Sequence, residues 1–361
     1  MNIIANSDDN VFSDASVKTV VFVLSNKSIK DSKITFFKIK KSEFIYDKEI
    51  EQNVFIKQDY LINEKVDINA IGIINKLNKN KFIDEFYEVK NGIKVRKELL
   101  FENKTIDSHK PFLLGKNIFT FNNTFDNIFI DYKIENEKLY TNQAFRNKEI
   151  FEQNKLISRQ ILGKRIVTTY DENNFYTDQT TYVINRKNKD CDLKYLLCLL
   201  NSKLIYYYFI NTTSDNKIVF PKVKRSQILE LPFIKNKNQQ PFIEQAEVML
   251  SLSKEFQLLA QKFSTYFSGQ FKIEKLSGKL EKWYDLSFDE FMAAVNKVLK
   301  TQKGTPLTKK EEFDWIDLFE ENKAKANQLQ NEIATTDKAI DAMVYELYGL
   351  TEDEIQIVEQ S

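Results

Sequence analysis

Side chains suited to binding nucleic acid are concentrated between Lys155 and Lys235. This segment holds fourteen Lys and Arg against seven Asp and Glu, a local charge of +7. Lys and Arg neutralise phosphates and supply most of the affinity of such complexes, whereas Arg, Gln and Asn read base edges through paired hydrogen bonds. The competing interpretation is a solvated basic face, because the chain is rich in Lys throughout. The polar and aromatic residues among these cations are Gln160, Tyr170, Asn173, Asn174, Tyr176, Gln179 and Tyr182.

Nine residues are the candidates for contact with DNA. Three lysines are assigned to phosphates: Lys116, which follows Gly115, and Lys222 and Lys224, which flank Val223 after Pro221. Phosphate contacts orient a protein on the duplex, and base contacts specify the sequence. Arg159, Gln160 and Arg165 are assigned to base edges. For any one candidate taken singly, an ordinary exposed charge is the competing interpretation. The full set is Lys116, Arg146, Arg159, Gln160, Lys164, Arg165, Lys222, Lys224 and Arg225.

The elements that must position these residues alternate between strands and helices. β-Branched and aromatic runs predict strands, and a longer apolar run predicts a helix buried on most sides. The Asn91-Gly92 pair, flanked by β-forming residues, predicts a hairpin at 87–95. The predicted strands are 127–132, 157–161, 165–169 and 180–185, and the predicted helices are 69–77, 79–86 and 193–209.

Both ends of the chain show patterns of their own. Apolar runs at 17–24 and 33–39, joined by polar residues 25–31, predict a β-hairpin. Beyond residue 240, apolar residues recur every seven positions in two stripes. Two such helices should pack against each other, antiparallel, or against a partner. The first stripe is Phe242, Met249, Phe256 and Phe263, and the second is Phe319, Ala326, Ile333, Ile340 and Leu347.

Charge is distributed unevenly along the 361 residues. The net charge is +1, but residues 1–240 carry +9 and residues 241–361 carry −8. This asymmetry suggests a part that faces nucleic acid joined to a part that faces something else. Cys191 and Cys198 have no zinc-site spacing, and two buried thiols fit a reducing cytoplasm. No apolar run approaches the length of a membrane span, so we expect a cytoplasmic protein without membrane contact.

The order of several motifs resembles a known family. Lys110–Ile118, Lys155–Arg165, Tyr195–Leu204 and Ile228–Phe233 follow one another at the intervals found in one kind of target-recognition domain. That domain, called TaqI-like, belongs to type IIG restriction–modification enzymes. Those enzymes are adenine-specific DNA methyltransferases, often fused to a nuclease.

Two further segments resemble the same family. Phe12–Thr19 is similar to the last segment of its methyltransferase domain, and Ile340–Ile355 is similar to its C-terminal close. In the second segment, Gly349 is expected to end a helix in the left-handed conformation. Thr351 and Glu354 are expected to form a capping box on a last turn.

Residues for methyl transfer are missing from the sequence. Adenine-N6 transfer needs a Gly-rich loop for S-adenosylmethionine and an Asn/Asp-Pro-Pro-Tyr/Phe loop for the flipped base. No two of the five prolines are adjacent, none follows Asn or Asp, and the eight glycines lack cofactor-loop spacing. Asp84, Glu88 and Lys90 imitate a nuclease triplet, but such triplets are common in a highly charged chain. His109 is expected on the surface of a loop. No catalytic, cofactor-binding or metal-binding residue is therefore predicted here.

The resemblance implies an α+β fold in four parts. Residues 1–45 would be a remnant strand pair of a methyltransferase sheet, and 46–107 a connector. Residues 108–235 would be a mixed DNA target-recognition domain, and 236–361 a long-helix, coiled-coil-like domain. The implied function is sequence-specific recognition of double-stranded DNA, with S-adenosylmethionine bound only in a catalytic part that this chain lacks. Whether the chain is itself an enzyme stays open.

Three alternatives remain. The chain could complete a split adenine methyltransferase by pairing, through its N-terminal strands, with a separate methyltransferase or endonuclease polypeptide. It could be an inactive truncated remnant. It could also be a specificity subunit like those of type I systems. Those subunits have two recognition domains and two helical spacers, whereas this sequence shows one of each.

Overall fold

The computed structural model begins with a four-stranded sheet. It describes residues 3–7, 19–24, 33–40, 43–52, 68–133, 135, 145–213 and 222–361. The first strands are β1 (Ile3–Ser7), β2 (Thr19–Val23), β3 (Lys33–Lys40) and β4 (Glu43–Glu51). The spatial order is β2-β1-β3-β4, with β1 parallel to β3 and the other pairs antiparallel. One face buries a small apolar core of Ile4, Ile34, Phe36 and Ile50.

The predicted hairpin between the first two apolar runs is wrong. Both runs contain strands, but β1 lies between β2 and β3, so β3 instead forms its antiparallel pair with β4. The short run at Ile3–Ser7 gave no strand signal of its own, which is why its central place in the sheet was missed. The motif segment 12–18 and the joining residues 25–31 lie outside the described residues.

A helix and short strands lead into the central domain. Helix α1 (Ile68–Leu77) matches the prediction. The predicted helix at 79–86 is wrong, because β5 (Lys81–Phe82) pairs with a later strand and only Ile83–Glu85 form a 3₁₀ turn. The predicted hairpin at 87–95 is also wrong, because β6 (Tyr87–Asn91) pairs with a strand ninety residues away.

The central domain contains two four-stranded sheets. One sheet is entirely antiparallel with order β13-β12-β15-β6, and the other has order β14-β8-β11-β7 with β14 parallel to β8. The predicted strands at 127–132, 157–161 and 180–185 are present, and the one at 165–169 begins three residues later. The strands are β7 (Leu100–Phe101), β8 (His109–Leu113), β9 (Ile118–Phe119), β10 (Asn122–Asn123), β11 (Phe129–Asp131), β12 (Lys155–Arg159), β13 (Thr168–Asp171), β14 (Tyr176–Thr177), β15 (Thr181–Arg186) and β16 (Pro232–Phe233).

Two buried helices pack beneath the antiparallel sheet. The predicted single helix is broken at Ser202 into α2 (Leu193–Asn201) and α3 (Lys203–Thr212). The Ser202 hydroxyl donates to the Leu199 carbonyl at 2.7 Å and accepts the Ile205 N–H at 3.2 Å, so it caps both helices. The Asn201 side chain exchanges two hydrogen bonds with the backbone of Thr168 on β13, at 3.0 and 3.1 Å. These contacts fix the helices against the sheet.

The C-terminal third is helical, as its two stripes predict. After a short helix α4 (Arg225–Leu229), the long helices α5 (Gln240–Gln270) and α9 (Ile316–Leu347) pack together. They run antiparallel, because Phe263 near the end of α5 contacts Phe319 near the start of α9. Between them, α6 (Gly278–Glu281), α7 (Phe288–Thr301) and α8 (Lys309–Phe313) form a distal unit. Its separate core includes Phe267, Trp283 and Phe291.

The chain ends as the C-terminal motif predicts. Gly349 takes the left-handed conformation with φ of 65°, and the Leu350 N–H returns to the Tyr345 carbonyl at 3.0 Å. Thr351 and Glu354 form the capping box of α10 (Glu352–Glu359). The mixed strands and helices confirm the α+β fold class. None of the described helices is long and apolar enough to cross a membrane.

Candidate nucleic-acid interface

A tight turn at Asp178–Thr181, just before β15, is the centre of the candidate interface. The Asp178 carboxylate accepts the Thr180 N–H at 3.2 Å and the Thr180 hydroxyl at 2.6 Å. The Asp178 N–H donates to the Leu113 carbonyl at 3.0 Å, which ties the turn to β8. Burial raises the pKa of Asp178, and the hydrogen bonds from Thr180 oppose that shift. The turn is therefore held by its own side chains and by both central sheets.

Gly92 lets β6 approach this turn. A Cβ atom at Gly92 would lie 2.0 Å from the Asp178 carbonyl oxygen and 2.6 Å from that of Thr177. The next residue, Ile93, forms a parallel bridge with Asp178, and its N–H donates to the Thr177 carbonyl at 2.7 Å. The Asn91-Gly92 pair therefore serves close backbone packing rather than a hairpin turn, which explains the failed prediction.

Gln160 and Lys222 lie beside the turn. The Gln160 N–H donates to the Thr180 carbonyl at 2.9 Å, and its side-chain amide donates to the Gln179 carbonyl at 2.6 Å. Ile161 forms a bridge with Lys222, and the Val223 N–H donates to the Gln160 carbonyl at 2.7 Å. The Lys222 side chain is exposed. Residues sixty positions apart in sequence thus meet at the end of β12.

Lys116 reaches the same turn from another direction. Gly115 packs against Thr180, since a Cβ there would lie 2.3 Å from the Thr180 hydroxyl oxygen. The adjacent Lys116 ammonium lies 3.0 Å from the Asp126 carboxylate, but the side chain remains 65% exposed. A surface ion pair of this kind is weak, so Lys116 stays available to a phosphate.

Two arginines complete the cluster from the β6 side. The Arg146 Nε donates to the Asn91 carbonyl at 3.2 Å, and an Arg225 guanidinium nitrogen donates to the Val89 carbonyl at 3.3 Å. Lys224 precedes Arg225 and is exposed. We call this assembly the basic edge; it consists of Lys116, Arg146, Gln160, Lys222, Lys224 and Arg225 around the turn Asp178–Thr181.

Three of the predicted residues lie at the end of β12 and on the loop between β12 and β13. The Arg159 Nε turns back to the Ile161 carbonyl at 2.9 Å. Lys164 is exposed. Arg165 forms ion pairs with α9, because one of its guanidinium nitrogens lies 2.9 Å from both the Asp337 and the Asp341 carboxylates. Another nitrogen donates to the Asn201 carbonyl at 2.8 Å. The structure gives Arg165 a structural role between domains in place of the base contact assigned to it.

The aromatic residues between the cations are mostly part of the core. Tyr176 and Tyr182 are buried, and the Tyr182 hydroxyl donates to the Val223 carbonyl at 2.9 Å. Tyr170 is half-buried, with the Lys194 ammonium 5.1 Å from its ring centroid. The expectation of a surface His109 is wrong, because His109 is 2% exposed and stacks on Phe101.

Sequence reasoning missed one basic run near the turn. Lys94, Arg96 and Lys97 are exposed and follow directly after the Ile93 bridge to Asp178. Lys94 was assigned to the hairpin at 87–95, which does not form, and Arg96 and Lys97 lie just beyond it, so the run was not considered for DNA contact. The signal in the sequence was the run Lys-Val-Arg-Lys after Asn91-Gly92-Ile93.

Within the described ranges, no group of three or more His, Cys, Asp and Glu is placed to hold a metal ion.

Two family models match this chain. Residues 110–233 match the TaqI-like C-terminal specificity domain. The match confirms the resemblance predicted from the ordered motifs, and the matched range contains all nine predicted contact residues. Residues 235–344, which span α5 to most of α9, match a domain of unknown function, DUF8810. No curated protein matches the chain.

Two solved structures are similar to the chain. One is the S subunit of a type I restriction–modification system from M. genitalium, with 19% identity over 54% of this chain and 48% of that one, at a TM-score of 0.30. The other is the type IIL restriction–modification enzyme MmeI in complex with DNA, with 12% identity over 91% of this chain and 46% of that one, at a TM-score of 0.41. The chain spans about half the length of each.

Proposed function

We propose that this chain is the sequence-specific DNA recognition module of a restriction–modification system of the type IIG kind. The observation that carries the proposal is the match of residues 110–233 to a TaqI-like specificity domain whose basic residues converge at one edge. Six of the nine residues selected from sequence lie around one turn, Asp178–Thr181, which both central sheets hold in place. A random solvated face has no reason to gather side chains from four separate chain segments.

The basic edge divides into two kinds of contact. Lys116, Lys222 and Lys224 are exposed and flexible, which suits the neutralisation of phosphates. Gln160 is held in place through its backbone and its side-chain amide, and its amide oxygen is left to accept a hydrogen bond from a base edge. The rigid turn beneath it supplies the fixed geometry that base discrimination requires. Lys94 and Lys97 extend the phosphate-binding surface.

Methyl transfer or cleavage would come from a methyltransferase or endonuclease partner outside these 361 residues, which would also bind S-adenosylmethionine. The sequence carries neither of the loops that adenine methylation needs. In this arrangement the present chain selects the DNA site and the partner performs the chemistry.

The test is DNA binding by the purified chain at ~50 and ~200 mM salt. A Lys116→Ala/Lys222→Ala variant should bind every duplex more weakly and lose about 1.8 from the slope of log affinity against log salt, because each phosphate contact contributes about 0.9. The matched control is Lys189→Ala/Lys237→Ala, which removes two exposed lysines beyond the opposite end of β15. Equal losses in the two variants would refute the assignment of the basic edge.

A second candidate, a complementing subunit of a split adenine methyltransferase, is favoured by the edge strand β2. Val20, Val21, Phe22, Val23 and Leu24 are each between 44% and 61% exposed. An apolar edge of this kind is prone to pair with another strand. Methyl transfer by a mixture of this chain with a separate adenine methyltransferase polypeptide, absent from either component alone, would support this candidate. A Phe22→Lys variant that still complements would count against the edge strand.

A further inference from the structure

The distal unit of the helical domain contains a groove that lies apart from the basic edge. It runs between the segment 274–279 and one face of α7, and its cavity volume is about 720 Å³. Along α7 the lining includes Glu290, Ala293, Val298 and Thr301, which follow one another at helical spacing. Eleven residues of helix span about 17 Å, so the groove has the length of a three-turn helix.

The groove is lined by apolar side chains and by lysines. Ala293, Ala294, Val298 and Leu276 supply apolar lining. Lys275, Lys279 and Lys297 also line the groove, and none of these ammonium groups forms an ion pair within the described part of the chain.

Lys300 extends the Lys297 side of the groove into an adjoining depression, which Asn296 also lines. Two carboxylates line the groove as well. Glu290 already accepts the Ser287 N–H at 2.8 Å as part of a capping box, whereas Glu274 is exposed.

The groove carries an excess of positive charge within an acidic domain. Its lining holds three lysines against two glutamates, whereas residues 241–361 carry a net charge of −8, so the domain as a whole repels DNA. A duplex would also gain nothing from the apolar part of the lining, because its phosphates bind through hydrated contacts. An amphipathic helix with acidic flanks matches both features, since it places apolar side chains against the apolar lining and carboxylates beside the lysines.

We propose that this groove docks an acidic amphipathic helix of a partner polypeptide. Its position suits a link between proteins. The core residue Met249 and the distal core residue Phe263 are fourteen residues apart on α5, which corresponds to about 21 Å along the helix. The helical pair would thus hold the partner away from the DNA-facing edge. The docking site does not depend on DNA binding by the central domain.

The probe is a fluorescein-labelled synthetic peptide of about 18 residues, with Leu on one helical face and Glu on the other. Binding to the full chain is measured by fluorescence anisotropy. A Lys279→Glu/Lys297→Glu variant should lose affinity for the peptide by at least roughly tenfold. The control variant Lys262→Glu/Lys310→Glu reverses the charge of two exposed lysines elsewhere on the helical domain and should bind like the parent. Circular dichroism and thermal unfolding confirm that both variants fold.

Two control peptides and a dye-labelled variant test whether the acidic peptide binds in the groove. A peptide of the same composition with scrambled order and a peptide with Lys in place of Glu should both fail to bind. A dye attached at Thr301→Cys should change its emission with the acidic peptide, because the two native cysteines are buried and leave a single reactive thiol. Equal binding of the scrambled peptide, competition by a short DNA duplex, or no effect of the charge reversal would overturn the proposal. The DNA affinity of the Lys279→Glu/Lys297→Glu variant should equal that of the parent, so failure here is distinguishable from failure of DNA recognition.

Discussion

Replacing Arg165 with Met should loosen the central domain from α9 in a manner that depends on pH. The Arg165 guanidinium contacts the carboxylates of Asp337 and Asp341 and the carbonyl of Asn201. Asp341 is 2% exposed, and it also accepts the Lys203 N–H at 2.8 Å. Burial raises the pKa of Asp341 to about 6, although the Arg165 charge opposes that shift. Without Arg165 this carboxylate loses the larger of the two cationic charges that offset its burial, and only the Lys203 charge remains.

The size of the effect follows from these contacts. Without Arg165 the pKa of Asp341 rises further, and at pH 7 the buried carboxylate can take up a proton. The destabilisation from Asp341 is therefore limited by the gap of about one unit between pH 7 and the parent pKa, which is about 1.4 kcal/mol. The lost hydrogen bond to Asn201 adds about 1 kcal/mol, and the partly exposed pair with Asp337 adds less than about 1 kcal/mol. The total is about 2–3 kcal/mol at pH 7. At pH 5 Asp341 is already protonated in the parent, so the loss shrinks by about 1.4 kcal/mol.

Urea unfolding at pH 5 and pH 7 measures this difference. A group whose pKa is raised on folding contributes stability below its unfolded pKa and loses it as the pH rises to the folded value, so the parent loses the Asp341 contribution between the unfolded pKa of 3.8 and the folded pKa of about 6. In the variant the folded pKa lies higher, so its loss continues towards pH 7. Lys164→Met, at the exposed neighbouring position, is the control and should change stability by less than about 0.5 kcal/mol. An Arg165→Met loss that is the same at both pH values would refute the role given to Asp341.

The remaining predictions concern buried groups. Lys155 and Asp171 form an ion pair with both side chains fully buried, so Lys155→Met should lower the free energy of unfolding by about 3–5 kcal/mol; a loss below about 1 kcal/mol in urea unfolding would contradict this. Gly92→Ala should destabilise by at least about 1–3 kcal/mol and weaken DNA binding by displacing the turn at 178–181, whereas Gly72→Ala on α1, where a Cβ meets nothing within 4 Å, should be neutral or stabilising. Burial raises the pKa values of the Cys191 and Cys198 thiols, so a thiol reagent should modify neither in the folded chain at pH 8 and both in urea; rapid modification of the native protein would show that the core is open.

The periodic parts of the chain were predictable from sequence because their local pattern and their packing agree. The two heptad stripes become the seam between α5 and α9, with Phe242, Met249 and Phe263 buried on one helix and Phe319 and Ile340 on the other. The left-handed Gly349 and the Thr351–Glu354 capping box were predictable for the same reason, since each depends on residues within one turn.

The failures occur where distant contacts override local preference. Asn91-Gly92 favours a hairpin turn, but its glycine is needed for close contact with the backbone of Asp178, which lies far away in sequence. Ser202 breaks an otherwise continuous apolar helix because its hydroxyl caps both halves. Arg165 resembles its basic neighbours in sequence, and only the fold shows that two aspartates on α9 neutralise it.

The candidate site was therefore predictable as a set of residues but not as a geometry. Basic residues near Gln160 and Lys222 could be selected from charge, yet the turn that joins them depends on long-range strand pairing. The run at Lys94, Arg96 and Lys97 was missed because the residue before it, Ile93, meets Asp178 only in the folded chain.

The most direct test of the proposed function is selection of bound duplexes from a randomised DNA pool by the purified chain. If the chain is a sequence-specific recognition module, one motif should be enriched. The Lys116→Ala/Lys222→Ala variant should then bind that motif more weakly without changing its sequence, whereas Gln160→Ala should relax the preference at one position. Binding without any enriched motif, or no binding at ~50 mM salt, would contradict the central claim.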